Sequence, residues 1–235
     1  MIGRHGSEAT PAGAMLVVAA HPDDEVLGCG GLMAAESARR NVHILILGEG
    51  LTSRRTSSPT TTGELEVLKD HARAAARIVG AASVEFSGLQ DNRFDDVPLL
   101  EVVQIVEDYI AKWAPVVVYT HHPGDLNIDH AIAARAVVTA TRPTPGCGVK
   151  QLLAFECASS TEWAFQAPDP FRPNVFVDVS ATIETKLEAL RAYAGEVRTF
   201  PHPRSPEGLA AIAQRWGSVC GVPYAEAFQL IRAIP

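Results

Sequence analysis

The chain has no apolar run approaching the roughly 20 residues that a membrane helix needs. Its longest such stretches, 14–20 and 44–47, stop far short, and no bilayer span is expected. An excess of positive charge is also missing: 20 Lys and Arg face 27 Asp and Glu, a formal net charge of -7, with no basic cluster to offset it. A surface of that sign repels phosphate backbones and anionic lipids, which argues against nucleic acid as a partner. Cysteine is scarce and scattered, at Cys29, Cys147, Cys157 and Cys220, without a CxxC pair. That spacing argues against a cysteine zinc site and, in a reducing compartment, against disulfides, so all four are expected as packing residues. Residues 1–13 carry Gly, Ser, Thr and Pro but not the apolar core of a signal peptide; they are expected to form a flexible segment, and the protein is expected in the cytoplasm. There is neither an internal repeat nor a linker long enough to divide the chain, so 14–235 is expected to be one domain.

What is present is the composition of an ordinary soluble globule, 47% hydrophobic and 20% charged over 235 residues. That length buries a full core without a disulfide or a structural metal. Four short apolar or β-branched runs, 15–19, 42–47, 84–86 and 116–120, predict strands buried on both faces. Between them, 27–40, 64–79, 99–113 and 129–141 have helical spacing. Strand and helix alternate, which predicts an α/β, Rossmann-like fold: a mostly parallel sheet with helices on both faces and ligands at the carboxyl ends of the strands. The segment TRPTPGCG from Thr141 breaks the last of these helices. A further strand is expected over 174–179, then helices over 183–197, 206–216 and 224–231.

The first predicted strand runs into AAHPDDEVLGCGG, which puts His21, Asp23, Asp24 and Glu25 in the turn between strand and helix. Imidazole and carboxylate are good ligands for a divalent ion, and His21 and Asp24, three positions apart across a tight turn, can converge on one. Asp23 is then left beside the metal. Helix capping and the macrodipole account for an acid at this place, but not for three in a row. Gly28, Gly30 and Gly31 do not form a GxGxxG fingerprint, and acids stand where a phosphate would sit, which disfavours a nucleotide-dependent oxidoreductase. A second polar cluster follows the fourth predicted strand in THHPGDLNIDHAIAARAV and holds His121, His122, Asp125, Asn127, Asp129 and His130. Together the two loops supply the three ligands of a catalytic zinc site, with the fourth position left for water.

These two motifs, with GLQDNRFDDVPLL, FECASSTEW, FRPNVFVD and FPHPRSPEGL, resemble the PIG-L/LmbE-like family of zinc-dependent de-N-acetylases over nearly everything after Gly13. The resemblance implies His21, Asp24 and His130 as zinc ligands and Asp23 as general base. Asp129 stands where a carboxylate orients a histidine. Many members have a histidine three residues before the last ligand, assigned to the oxyanion or leaving group, and here the place is taken by Asn127. An amide donates a hydrogen bond but does not shuttle a proton, so the acid is expected elsewhere, at His202 first and His122 second. Arg54, Arg55, Asp91, Asn92, Arg93, Asn127 and Glu162 are the expected substrate contacts, and Ser159, Ser160, Thr161 and Trp163 could add a polar wall with an aromatic platform.

The reaction so implied is hydrolysis of the acetamide of an N-acetylglucosamine-type sugar or its conjugate, a small-molecule substrate, with Zn2+ as cofactor. Two readings compete with it. One is an amidase acting on a thiol conjugate that carries glucosamine. The other is a sugar-binding protein without turnover, for which an unliganded Asp23 beside the ion would have no use. A homo-oligomer is allowed but not indicated.

Overall fold

Met15–Ala19, buried at all five positions, forms strand β1. It lies between β2 (Val42–Gly48) and β4 (Val117–His121), parallel to both, with Met15 level with Val42 on one side and with Val117 on the other. The computed structural model describes residues 13–52 and 61–235. Arg54, Arg55 and the segment 1–12 lie outside the described residues.

The sheet runs β3-β2-β1-β4-β5-β7-β6, with β3 at Ser83–Leu89, β5 at Gln151–Phe155, β6 at Val175–Asp178 and β7 at Ala225–Ala233. From β3 to β5 every pairing is parallel, and β7 runs antiparallel to both of its neighbours. Among the described residues six helices cover the two faces: α1 (Asp24–Glu36), α2 (Thr62–Ile78), α3 (Leu99–Trp113), α4 (Ile128–Ala140), α5 (Ile183–Ala192) and α6 (Pro206–Cys220). Alternate residues of one strand feed opposite cores. Met15 and Val17 join Leu27, Leu68, Leu187 and Leu209 under α1, α2, α5 and α6, whereas Leu16 and Val18 join Val102, Val106, Ala133 and Val137 under α3 and α4. The α/β class with helices on both faces is therefore present as expected. No helix among the described residues is long and apolar enough to cross a membrane.

Three expectations need correction. Residues 224–231 are not helical; they belong to β7, whose AEAFQLIRA has the composition of a helix former but pairs with β5 and β6. Its first four residues are buried, so no alternation betrays the strand, and tertiary pairing overrides local propensity. Strand β5 emerges directly after the Pro- and Gly-rich break, where no strand is expected. Helix α1 begins at Asp24, three residues before the expected start at Leu27. Asp24 therefore belongs to the helix, not to the turn ahead of it.

The chain leaves β1 toward β2 and β3 on one side and later returns to β4 and β5 on the other. Beyond the carboxyl ends of β1 and β4 the sheet divides, which is where open α/β sheets hold ligands.

Candidate metal centre and active site

Both polar clusters of the sequence meet at that division. His21 follows β1, and its backbone N–H donates to Asp24 Oδ2 at 2.8 Å. The same oxygen lies 3.4 Å from His21 Nδ1, 3.3 Å from His130 Nε2 and 3.5 Å from His121 Nε2. Ligand atoms of His21, Asp24 and His130 all fall within 4.8 Å of one another, an arrangement that could hold a metal ion. His130 and Asp24 are fully buried, yet neither ring nitrogen of His130 makes a hydrogen bond of acceptable geometry. Buried polar atoms left without partners are rare in native proteins, and an ion beside Asp24 would satisfy His130 Nε2.

The surroundings fix each ring. Asp129 Oδ2 lies 2.8 Å from His21 Nε2, and the Asp129 carboxylate also accepts the backbone N–H groups of Asn92 at 2.7 Å and Phe94 at 3.0 Å. Asp129 thus orients His21 across 108 residues of sequence and leaves Nδ1 facing Asp24. Asp91 Oδ1 stands 3.2 Å from the same Nε2. Asp125 Oδ1 is 3.1 Å from His130 Nδ1. His121 accepts the Ala20 N–H at its Nε2 and stacks on His130 with centroids 3.9 Å apart.

Charge balance fits a cation. Burial disfavours charge on His21, but Asp129, Asp24 and Asp91 outweigh it and raise its pKa to about 10. His130 is raised to about 9 against the same penalty, chiefly by Asp24 and Asp125. Burial also opposes the charge of Asp24, yet His130, His21 and His121 hold it well below the usual carboxylate range. Burial and the neighbouring His130 push His121 down to about 3, so it is neutral. The carboxylates require positive charge, which a divalent ion would supply in place of the two imidazolium protons.

Asp23 sits at the helix N-cap with φ 102° and ψ -28°, a left-handed conformation held by the Asp23 N–H donating to Glu25 Oε2 at 3.1 Å. The Glu25 carboxylate in turn accepts the Tyr193 hydroxyl. Burial raises the Asp23 carboxyl to about 7, although the Arg204 guanidinium pulls the other way with Nη1 3.0 Å from Oδ2. Arg204 Nε also donates to Ser159 Oγ at 2.8 Å. Beside the cluster lies a cavity of about 160 Å³ lined by His21, Pro22, Asp23, Gly50, Asp91, Asn92, Asn127, Glu196 and Arg204. Asn127 caps α4: its Oδ1 accepts the Asp129 N–H at 2.8 Å, which leaves its NH2 as the group turned toward Asn92.

The remaining expected site residues stand elsewhere. His202 packs edge-on against Trp163 and accepts the Arg204 N–H at Nδ1, and it does not line the cavity. His122 is buried, with Nε2 donating to the Asp169 carbonyl at 2.8 Å and its ring against Phe171. Arg93 is exposed and pairs with Asp96 at 2.7 Å. Glu162 accepts the N–H groups of Ser159 and Ser160. In the FPHPRS segment the side chain that reaches the cluster is thus Arg204, not its neighbour His202. No spacing in the sequence signals that contact, because 181 residues separate Arg204 from Asp23.

A doubly wound sheet with an imidazole–carboxylate cluster at its switch point defines an α/β protein whose candidate site lies where such sheets hold ligands. The model of the PIG-L family, described as GlcNAc-PI de-N-acetylase, matches residues 16–141, more than half of the chain, and the chain belongs to that family. The 4-oxalmesaconate hydratase of Pseudomonas putida is 30% identical over 207 residues, covering 80% of this chain and 75% of the relative. The probable N-acetyl-alpha-D-glucosaminyl L-malate deacetylase 2 of Bacillus anthracis is 26% identical over 191 residues, covering 79% and 82%. Among solved structures, a conserved protein of Thermus thermophilus matches with a TM-score of 0.75 at 28% identity, over 94% of this chain and 96% of that one.

Proposed function

We propose that this chain is a zinc-dependent hydrolase that removes the N-acetyl group from an N-acetylglucosamine-type amino sugar or its conjugate, releasing acetate and a free amine. The observation that carries the reading is the convergence of His21, Asp24 and His130 within 4.8 Å beside the buried carboxyl of Asp23. His21, Asp24 and His130 would hold the zinc ion, which would supply Lewis acidity and bring the pKa of a water toward ~7.

The rest falls to the protein's own side chains. Asp23, at about 7, is poised to take a proton from the attacking water near neutral pH. Arg204 fixes the direction of that carboxylate. Asn127, with its oxygen committed to the helix cap, offers an N–H donor to the acetamide oxygen as negative charge develops there. The leaving amine needs a proton, and neither His202 nor His122 lines the cavity. We assign that step to Asp23, which carries the proton taken from water. Asp91 and Asn92, which line the cavity, are the proposed contacts to sugar hydroxyls.

The relationship to 4-oxalmesaconate hydratase favours a second reading, addition of water across the double bond of a polycarboxylate. Among the described residues, Asp23, Asp91 and Glu196 line the cavity against the single guanidinium of Arg204. His21 and the proposed ion face the same cavity and offset these acids, so charge alone does not separate the two readings and the assay must. The test is a panel of N-acetylated sugars and conjugates, acetyl-lysine peptides and unsaturated dicarboxylates, assayed with zinc-loaded and chelated protein. The expected result is zinc-dependent acetate release from an N-acetylglucosamine compound. Faster turnover of acetyl-lysine or of an unsaturated dicarboxylate would overturn the assignment.

A further inference from the structure

We propose that Cys157 is a positioning residue for the metal centre: its thiol donates to Asp24 Oδ1, so that Asp24 presents Oδ2 alone to the ion. The inference rests on the metal reading above. Cys157 lies two residues past the end of β5 and is fully buried, as is Asp24, with Sγ 3.1 Å from Oδ1. The other oxygen, Oδ2, faces His21 Nδ1 at 3.4 Å and His130 Nε2 at 3.3 Å. A carboxylate can bind a cation through one oxygen or both, and a hydrogen bond to one oxygen selects the other. A thiol is a weak donor, but both partners are fully buried, where a hydrogen bond is stronger than in water.

Independently, His130 points to the same place, being 1% exposed with its Nε2, which faces Asp24 Oδ2 at 3.3 Å, not satisfied by a hydrogen bond of acceptable geometry. The turn that carries Cys157 also braces that ring. The Cys157 N–H donates to Thr161 Oγ1 at 2.7 Å, the Thr161 hydroxyl donates to Asp125, and Asp125 Oδ1 lies 3.1 Å from His130 Nδ1. One short loop after β5 therefore supports two of the three proposed ligands, Asp24 through a thiol and His130 through Thr161 and Asp125. The sulfur also falls within 4.8 Å of ligand atoms of His121 and His130, so the test must separate positioning from direct ligation.

Cobalt(II) affinity is measured by chelator competition for the wild-type protein and for Cys157→Ala, Cys157→Val and Cys157→Ser, together with the optical spectrum of each cobalt-loaded form. Circular dichroism of the metal-free proteins selects the variants that fold. The expected result is a loss of affinity of about 10- to 100-fold in Cys157→Ala, as for other partners that orient ligands, with partial recovery in Cys157→Ser, whose hydroxyl also donates. Cys157→Val, which has no donor, is expected to match Cys157→Ala and carries the test if the smaller variant unfolds. No thiolate-to-cobalt charge-transfer band is expected in the wild type. Unchanged affinity in a folded Ala or Val variant, or a charge-transfer band that disappears with the sulfur, would overturn the proposal. A wild type that takes up no cobalt would overturn the metal reading itself, a result distinguishable from either.

Discussion

At Asp23 the backbone takes φ 102°, a region that residues other than glycine rarely enter and that Asp and Asn tolerate best. Strain of this kind persists only where surrounding contacts hold it, here the Asp23 N–H on Glu25 and the Arg204 pair on the side chain. Asn suits the same backbone but has no carboxylate, so Asp23→Asn separates base from scaffold. Its zinc content is expected to equal that of the wild type while turnover falls by about 10² to 10⁴, the usual range for losing a general base. His202→Ala, assayed alongside, is expected to keep near wild-type turnover, because its ring lies against Trp163. Near wild-type turnover in Asp23→Asn, or a collapse in His202→Ala, would move the proton transfers to another residue. The charged and imidazole residues of AHPDDE announce themselves in sequence by their density in one turn. Arg204 reads in sequence as a donor suited to a polar cleft but not as the partner of Asp23, and Cys157 reads as a packing residue, since each meets the cluster only through the fold.

Among the elements, α1 shows why a helix beginning with two acids is also rich in glycine. A Cβ at Gly28 would lie 2.3 Å from the Phe155 ring, and one at Gly31 would lie 2.8 Å from Val179. The missing side chains let β5 and the end of β6 close on the helix that carries Asp23 and Asp24. Glu226 of β7 then enters the hydrogen-bond ladder of α1, accepting the N–H groups of Gly31 at 2.9 Å and Leu32 at 2.7 Å. Lys186 of α5 pairs with that carboxylate and donates to the Leu27 carbonyl at 2.8 Å. Removing one member of a buried pair strands the other charge, at a typical loss of about 3–5 kcal/mol. Glu226→Ala is expected to destabilise the fold by about that amount, as read by denaturant unfolding, and a loss below about 1 kcal/mol would contradict this role. The same glutamate explains the misread strand: a charged residue in AEAFQLIRA suggests a helix surface, while in the structure it faces inward to serve α1.

For the molecule as a whole, the sheet order brings together loops that lie about a hundred residues apart in sequence. Strands β1, β2, β3 and β4 were legible from their apolar runs, and α2, α3 and α4 from their helical spacing. From these the position of the site followed, because β1 and β4 are neighbours only where the winding reverses. At the antiparallel edge β6 was expected over 174–179, but β5 and β7 were not legible, because these two are defined by pairing with each other and not by a local pattern. What remains to be tested above all is whether His21, Asp24 and His130 hold the ion on which turnover depends. The decisive measurement is metal content, taken together with acetate release, for the wild type, His21→Ala and His130→Ala. The expected result is about one zinc ion per chain in the wild type, since three protein ligands form one catalytic site, and loss of both zinc and turnover in each variant. Stoichiometric zinc in both variants would contradict the account.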